Sequence, residues 1–181
     1  MKLEMRTLKN IAAAAMTLAV VFGAASLKPV TANAAEASVS ASIEEENSYI
    51  SFQDEAYQNE FLRRVNNERA KAGLKPVQLG DSNHNSAAQE RAEEIATVNS
   101  HVRPNGTKWY TVLSEYGVTD AAAGENAAWG SVSPEEVVNA WMNSEGHRAN
   151  ILDPEARAMG VCYYYNSSST WGHQWIQLFT K

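Results

Sequence analysis

The sequence predicts an α+β layered domain, a small antiparallel sheet between helices, and three observations predict it. Apolar residues recur at three- and four-residue spacing along segments 54–72, 82–96 and 133–142, the period of amphipathic helices. The end of the chain changes period: RAMGVCYYY and WGHQWIQLFT are rich in Val, Tyr, Trp, Ile and Phe, with a turn-forming Asn166-Ser167-Ser168-Ser169-Thr170 between them, as in a hairpin. Helices first and strands last, in a chain with room for one core, give the α+β class.

The elements follow in order. Lys2, Arg6 and Lys9 precede the apolar run IAAAAMTLAVVFGAA, and Ala32-Asn33-Ala34 is a small-x-small cleavage signature; residues 1–34 therefore read as a signal peptide. The apolar run falls short of the ~20 residues that span a bilayer, so no stable membrane span is expected after cleavage, with a retained N-terminal anchor as the alternative. Residues 35–53 (AEASVSASIEEENSYISFQ) are small, polar and acidic without a sustained period, and read as a linker or a loosely ordered segment. The folded domain is placed at 54–181.

Tyr57, Phe61, Leu62, Val65 and Arg69 form the packing stripe of the first helix, which Gly73 ends and Pro76 keeps from resuming. Asp81 or Ser82 caps a second helix, with Ala87, Ala88, Arg91, Ala92, Ile95 and Ala96 on its packed stripe. His84, near its start, reads as a surface residue. Pro104, Asn105 and Gly106 turn the chain before a short helix carrying Trp109, Val112 and Leu113. The stretch AGENAAWG around Glu125 is brief and apolar, and pattern alone does not make it a strand. Ser133, Pro134 and Glu136 form a capping box for a further helix through Trp141 and Met142, with Gly146 as its stop. In the last strand Trp171, His173, Trp175, Gln177 and Phe179 share one face, and Gly172, Gln174, Ile176, Leu178 and Thr180 the other.

Charge and cysteine narrow the function classes. The leader removes Lys2, Arg6, Lys9, Lys28 and Glu4 from a chain of 15 basic and 21 acidic residues, leaving a net −9. Such a chain is not expected to bind nucleic acid, which needs Lys and Arg to release phosphate counterions. Cys162 is the only cysteine, so no internal disulfide forms, and its strand neighbours mark it as a core residue. No G-x-S-x-G elbow and no H-E-x-x-H pair occurs, so neither a serine hydrolase nor a local zinc ligand pair is signalled.

The motifs VNNERAKAGLKPVQL, SHVRPNG, GENAA, WMNSEGHRANIL and WIQLF stand in an order and spacing that resembles the CAP superfamily (the cysteine-rich secretory, antigen 5 and pathogenesis-related-1 proteins) in its bacterial extracellular form. The resemblance spans about residues 55–181. It implies a three-layer α-β-α sandwich with an open cleft, which in eukaryotic members is lined by two histidines and two glutamates that in several of them hold a divalent cation. His101 of SHVRPNG matches the first family histidine and Glu125 of GEN a family glutamate. Ser144 falls where the other glutamate stands, with Glu145 one step on. The last histidine position falls on Gln174; His173 lies one residue earlier, on the opposite strand face. The bacterial branch carries the histidine of GHR, which makes His147 the partner expected for His101.

The cleft candidates are therefore His101, Glu125 and His147, with His101 and His147 as candidate ligands of a divalent cation such as zinc. The reading is of a binding or interaction module, secreted or associated with the cell envelope, and expected to be monomeric. The alternatives are a metal-dependent, peptidase-like hydrolase using the same cleft and, by analogy with eukaryotic relatives, a sterol or fatty-acid binder. Trp109, Trp129, Trp141, Trp171 and Trp175 are first of all core residues, with at least one of Trp171, Tyr163 and Tyr165 expected to be exposed near the hairpin and a carbohydrate-stacking surface as the alternative.

Overall fold

A computed structural model describes residues 49–52 and 55–181, within the unit Ala35–Lys181. In chain order the elements are β1 (Tyr49–Phe52), α1 (Glu55–Lys71), β2 (Gln78–Leu79), α2 (Ser82–Ile95), α3 (Thr111–Glu115), β3 (Ala122–Trp129), α4 (Pro134–Met142), α5 (Glu145–Ile151), β4 (Ala158–Asn166) and β5 (His173–Thr180). The expected leader and the linker up to residue 48 lie outside the described residues. Residues 49–52, inside the stretch read as linker, form β1 and pair with β4 from Tyr49↔Asn166 to Phe52↔Tyr163. Among the described residues no helix is long and apolar enough to cross a membrane.

The β4–β5 hairpin is the spine of the sheet, in the order β1-β4-β5-β3, with β2 adding in parallel to β4. β5 is central and β3 is the free edge beyond it. Alternation along β5 splits the interior into two cores. Trp175 and Phe179 pack with Phe61 and Val65 of α1, Val137 and Trp141 of α4 and Ile151 of α5. Ile176 and Leu178 pack with the alanine stripe of α2 and with Val112 and Leu113 of α3. Each large apolar side chain so buried contributes roughly 1.5–3 kcal/mol. Helices cover both faces of the sheet, the α-β-α sandwich expected.

The caps are satisfied. The Asp81 carboxylate accepts from the Asn83 and His84 amides at 3.0 and 3.1 Å, and the Ser133 hydroxyl accepts from the Glu136 amide at 3.2 Å. Glu136 reaches back to the Val132 amide. Gly73 closes α1 at φ +72°, the left-handed position that favours glycine.

Three local expectations are corrected. AGENAAW lies in a full strand, β3, despite its alanines and glycine, because one face meets α2 and the other α4 and α5, and only Gly130 falls beyond it. Gly146 stops nothing: α4 ends at Asn143, Ser144 takes the N-cap position of a new helix, and Gly146 lies in the first turn of α5. His84 is not on the surface but 6% exposed. Gly80 and Gly160 make room for it, since a Cβ on the first would overlap its ring and on the second its carbonyl. Its Nδ1 lies 2.8 Å from Asp81, and its Nε2 3.3 Å from the Thr180 hydroxyl and 3.6 Å from Asp120.

Candidate functional site

The site is built around β3. Glu125 points to the α2 face and Asn126 to the α5 face, so the two layers meet at this free edge.

On the α2 face a charge sits on an otherwise alanine stripe. Arg91 is 1% exposed, and a buried guanidinium requires a carboxylate partner. It grips Glu125 bidentately, Nε to Oε2 at 2.8 Å and Nη2 to Oε1 at 3.2 Å. Its Nη1 donates to Glu94 at 2.5 Å, and Nη2 also donates to the Ser100 carbonyl at 3.1 Å. Arg103 continues the chain, Nε to Glu94 at 2.9 Å and Nη1 to Glu115 at 2.6 Å. At the other end His101 Nδ1 meets Glu125 Oε1 at 2.7 Å.

Six residues thus alternate in sign: Glu115, Arg103, Glu94, Arg91, Glu125, His101. Three carboxylates face two guanidinia, so a proton on His101 balances the run. The hydrogen bond that the imidazole donates to the Glu125 carboxylate holds His101 above its ordinary 6.5, against partial desolvation and the nearby Arg91 charge. The His101 side chain is 61% exposed while that of Glu125 is 1% exposed: the carboxylate is the buried anchor and the imidazole its exposed face.

On the α5 face Asn126 and Asn150 fix the helix to the strand. Asn150 Nδ2 donates to the Glu125 carbonyl at 3.1 Å and to Asn126 Oδ1 at 2.8 Å. Asn126 Nδ2 donates to the His147 carbonyl at 3.2 Å and to Gln177 at 3.1 Å. Gly124 permits this approach, since a Cβ there would lie 2.6 Å from Asn150 Oδ1. His147 rests by Trp141 with ring centroids 6.2 Å apart. Burial first, and then the charge of His101, push its imidazole below 6.5. The three expected residues therefore gather around one edge, with His101 and His147 within electrostatic reach.

The remaining candidates are placed elsewhere. His173 Nδ1 meets the Tyr163 hydroxyl at 2.5 Å, on the α1 face and away from Glu125. Glu145 is exposed in the first turn of α5, and Ser144 precedes that helix at its N-cap. Cys162 is buried in the sheet. Ser100 Oγ accepts from the Val102 amide at 2.9 Å, a local turn rather than a link to His101. Arg91, Glu94, Asn126 and Asn150 were not among the sequence candidates, although an arginine on an alanine stripe is a signal for a buried ion pair.

The donors fit a metal incompletely. Both Glu125 oxygens are engaged by Arg91 and His101, which leaves the His101 Nε2 and the His147 ring. Four-coordinate zinc sites usually take three or four protein ligands. No group of three or more His, Cys, Asp or Glu arranged around a cation occurs among the described residues.

Comparison with known proteins agrees with this fold. The model of the CAP family, described as the cysteine-rich secretory protein family, matches residues 62–179. The uncharacterized protein YkwD of Bacillus subtilis is 40% identical over 123 residues, 67% of this chain and 47% of that protein; the chain thus spans about half the length of this relative. An outer surface protein of Borrelia burgdorferi shares the fold with a TM-score of 0.63 at 19% identity, over 73% of this chain and 97% of that one. An extracellular protein containing a SCP domain from Bacillus anthracis does so with a TM-score of 0.58 at 23% identity, over 68% of this chain and 39% of that one. With its sandwich, its motifs and this match over most of the folded domain, the chain belongs to the CAP family.

Proposed function

We propose that this protein acts outside the cell as a binding module that takes its ligand at the His101, Glu125 and His147 cleft, and that it is not a hydrolase. One observation carries the reading: Glu125 and His101 are locked to each other and to Arg91, and among the described residues no hydroxyl or thiol hydrogen-bonds to His101 or His147. The site offers an oriented, partly exposed imidazole with no protein hydroxyl or thiol beside it to serve as a covalent nucleophile. Export is supported by the basic, apolar and small-residue leader and by the extracellular and outer-surface relatives.

The metal-dependent alternative has one observation in its favour, a His147 imidazole whose lowered pKa favours the neutral form that binds a cation. With Glu125 engaged, two imidazoles are a weak donor set. Zinc calorimetry is expected to give no micromolar binding. The aromatic cavity lined by Tyr57, Phe61, Tyr163 and Trp175 holds about 10 Å³, no more than one water, so a sterol or fatty acid would need one of the larger open grooves, about 470 Å³ beside Arg64, Lys71 and Val138 or about 420 Å³ beside Tyr110, Leu113 and Val118.

Incubation with peptides and cell-wall fragments is expected to leave them intact. Turnover that disappears in His101→Ala, with circular dichroism unchanged, would overturn the proposal.

A further inference from the structure

Three stretches of the chain without Asp, Glu, Lys or Arg meet at Trp129: residues 126–134 around it, residues 95–100 after α2, and residues 158–180 of the β4–β5 hairpin. Trp129 Nε1 donates to the Ile95 carbonyl at 3.1 Å, so the polar edge of this indole faces inward. Its ring lies 5.7 Å from that of Trp171 at an interplanar angle of 54°. Trp171 is 38% exposed, which meets the expectation of an exposed aromatic near the hairpin; Tyr163 is buried and Tyr165 half-buried. The histidine of these stretches, His173, turns instead to Tyr163 on the α1 face.

The turn that carries Trp171 is held in place. The Asn166 amide donates to the Gly172 carbonyl at 2.8 Å and the Ser169 amide to the Asn166 carbonyl at 3.0 Å. Asn166 Oδ1 accepts from the Ser168 amide at 2.8 Å, and Gly172 takes φ +66°, which glycine adopts readily. An aromatic on such a turn loses little freedom when a ligand settles on it. Ser167, Ser168 and Thr170 are exposed on the same turn.

We infer that Trp171, backed by Trp129, is a stacking platform for a neutral sugar ring. It is a second surface, separate from the histidine cleft: Trp129 stands four strand residues from Glu125, about 13 Å along β3. The apolar, electron-rich indole face suits the C–H face of a pyranose, and serine and threonine hydroxyls both donate to and accept from its hydroxyls. A charged ligand would lose hydration here without an opposite charge to meet. Docking to an anionic membrane calls for Lys or Arg beside the aromatic, and the three stretches hold neither.

The test is an NMR titration of the ¹⁵N-labelled protein with two neutral trimers, triacetylchitotriose and cellotriose, and with two charged ones, deacetylated chitotriose and trigalacturonate. The Trp171 indole N–H and the 167–172 amides are expected to shift saturably with at least one neutral trimer, independently of added salt, and about tenfold more weakly or not at all with the charged trimers. The buried Trp141 and Trp175 indoles, held on the Ala127 and Ser131 carbonyls, stay in place. Trp171→Ala is expected to weaken binding about tenfold or more, and Trp171→Phe less. No saturable shift with either neutral trimer, equal shifts with the charged ones, or unchanged binding by a folded Trp171→Ala overturns the inference; if that variant does not fold, the wild-type indole pattern decides. Shifts at 167–172 that follow protein concentration or phosphatidylcholine vesicles, with no response to sugar, name a second copy or a membrane instead and also overturn it. His101→Ala is expected to leave the sugar shifts unchanged, and their loss in that variant assigns the sugar to the cleft and removes the second surface.

Discussion

Arg91 sets the character of the site at the residue scale. Removing one partner of a buried pair leaves the other charge uncompensated, so Arg91→Ala is expected to destabilise the protein by about 3–5 kcal/mol in urea unfolding. Glu125→Gln keeps the shape while removing the charge that holds the His101 proton, and the His101 imidazole should then fall back toward 6.5. The two histidines also act oppositely on stability. His101 has its pKa raised on folding from 6.5, so its contribution is fully present below that value and is lost as pH rises through the folded one. His147 has its pKa lowered from 6.5, so folding is penalised as pH falls below that value. Much of this was not legible in the sequence: motif resemblance pointed to His101, Glu125 and His147, but the buried carboxylate partner of Arg91 lies 34 positions away.

At the scale of elements, α5 is the piece that matters most for the site and the one whose start the sequence hides. Gly146 resembles a helix stop, yet the break falls at Asn143 and Ser144, and glycine enters the first turn of α5 without positive φ. Helices α1, α2 and α4 were legible because three- and four-residue spacing and their capping residues are local signals. β3 was not, because AAGENAAW lacks β-branched residues and takes its strand form from pairing with β5 and from the layers on its two faces. The burial of His84 escapes the pattern for a related reason: the room left by Gly80 and Gly160 is a tertiary property. The docking of α5 gives a direct prediction. Gly124→Ala places a methyl where Asn150 now lies, and should cost about 1–3 kcal/mol while loosening α5, seen as faster hydrogen exchange of the 148–152 amides with the β4–β5 ladder little changed.

At the scale of the whole molecule, the sandwich brings two layers together over one strand edge. The loop after α2 delivers His101 from one face, and α5 delivers His147 from the other. The hairpin and the two cores were readable from alternation in the final strand; the meeting of the layers at β3 was not, because no local pattern records which strand is the edge. In the proposed site the two rings stand at this one edge, where burial and then the His101 charge lower the His147 pKa, and titrating both imidazoles by NMR tests this most directly. The expected result is His101 above 6.5, His147 below it, and a rise of His147 in His101→Ala. Two histidines both titrating near 6.5, the ordinary value for each, with His147 indifferent to the loss of His101, would contradict it.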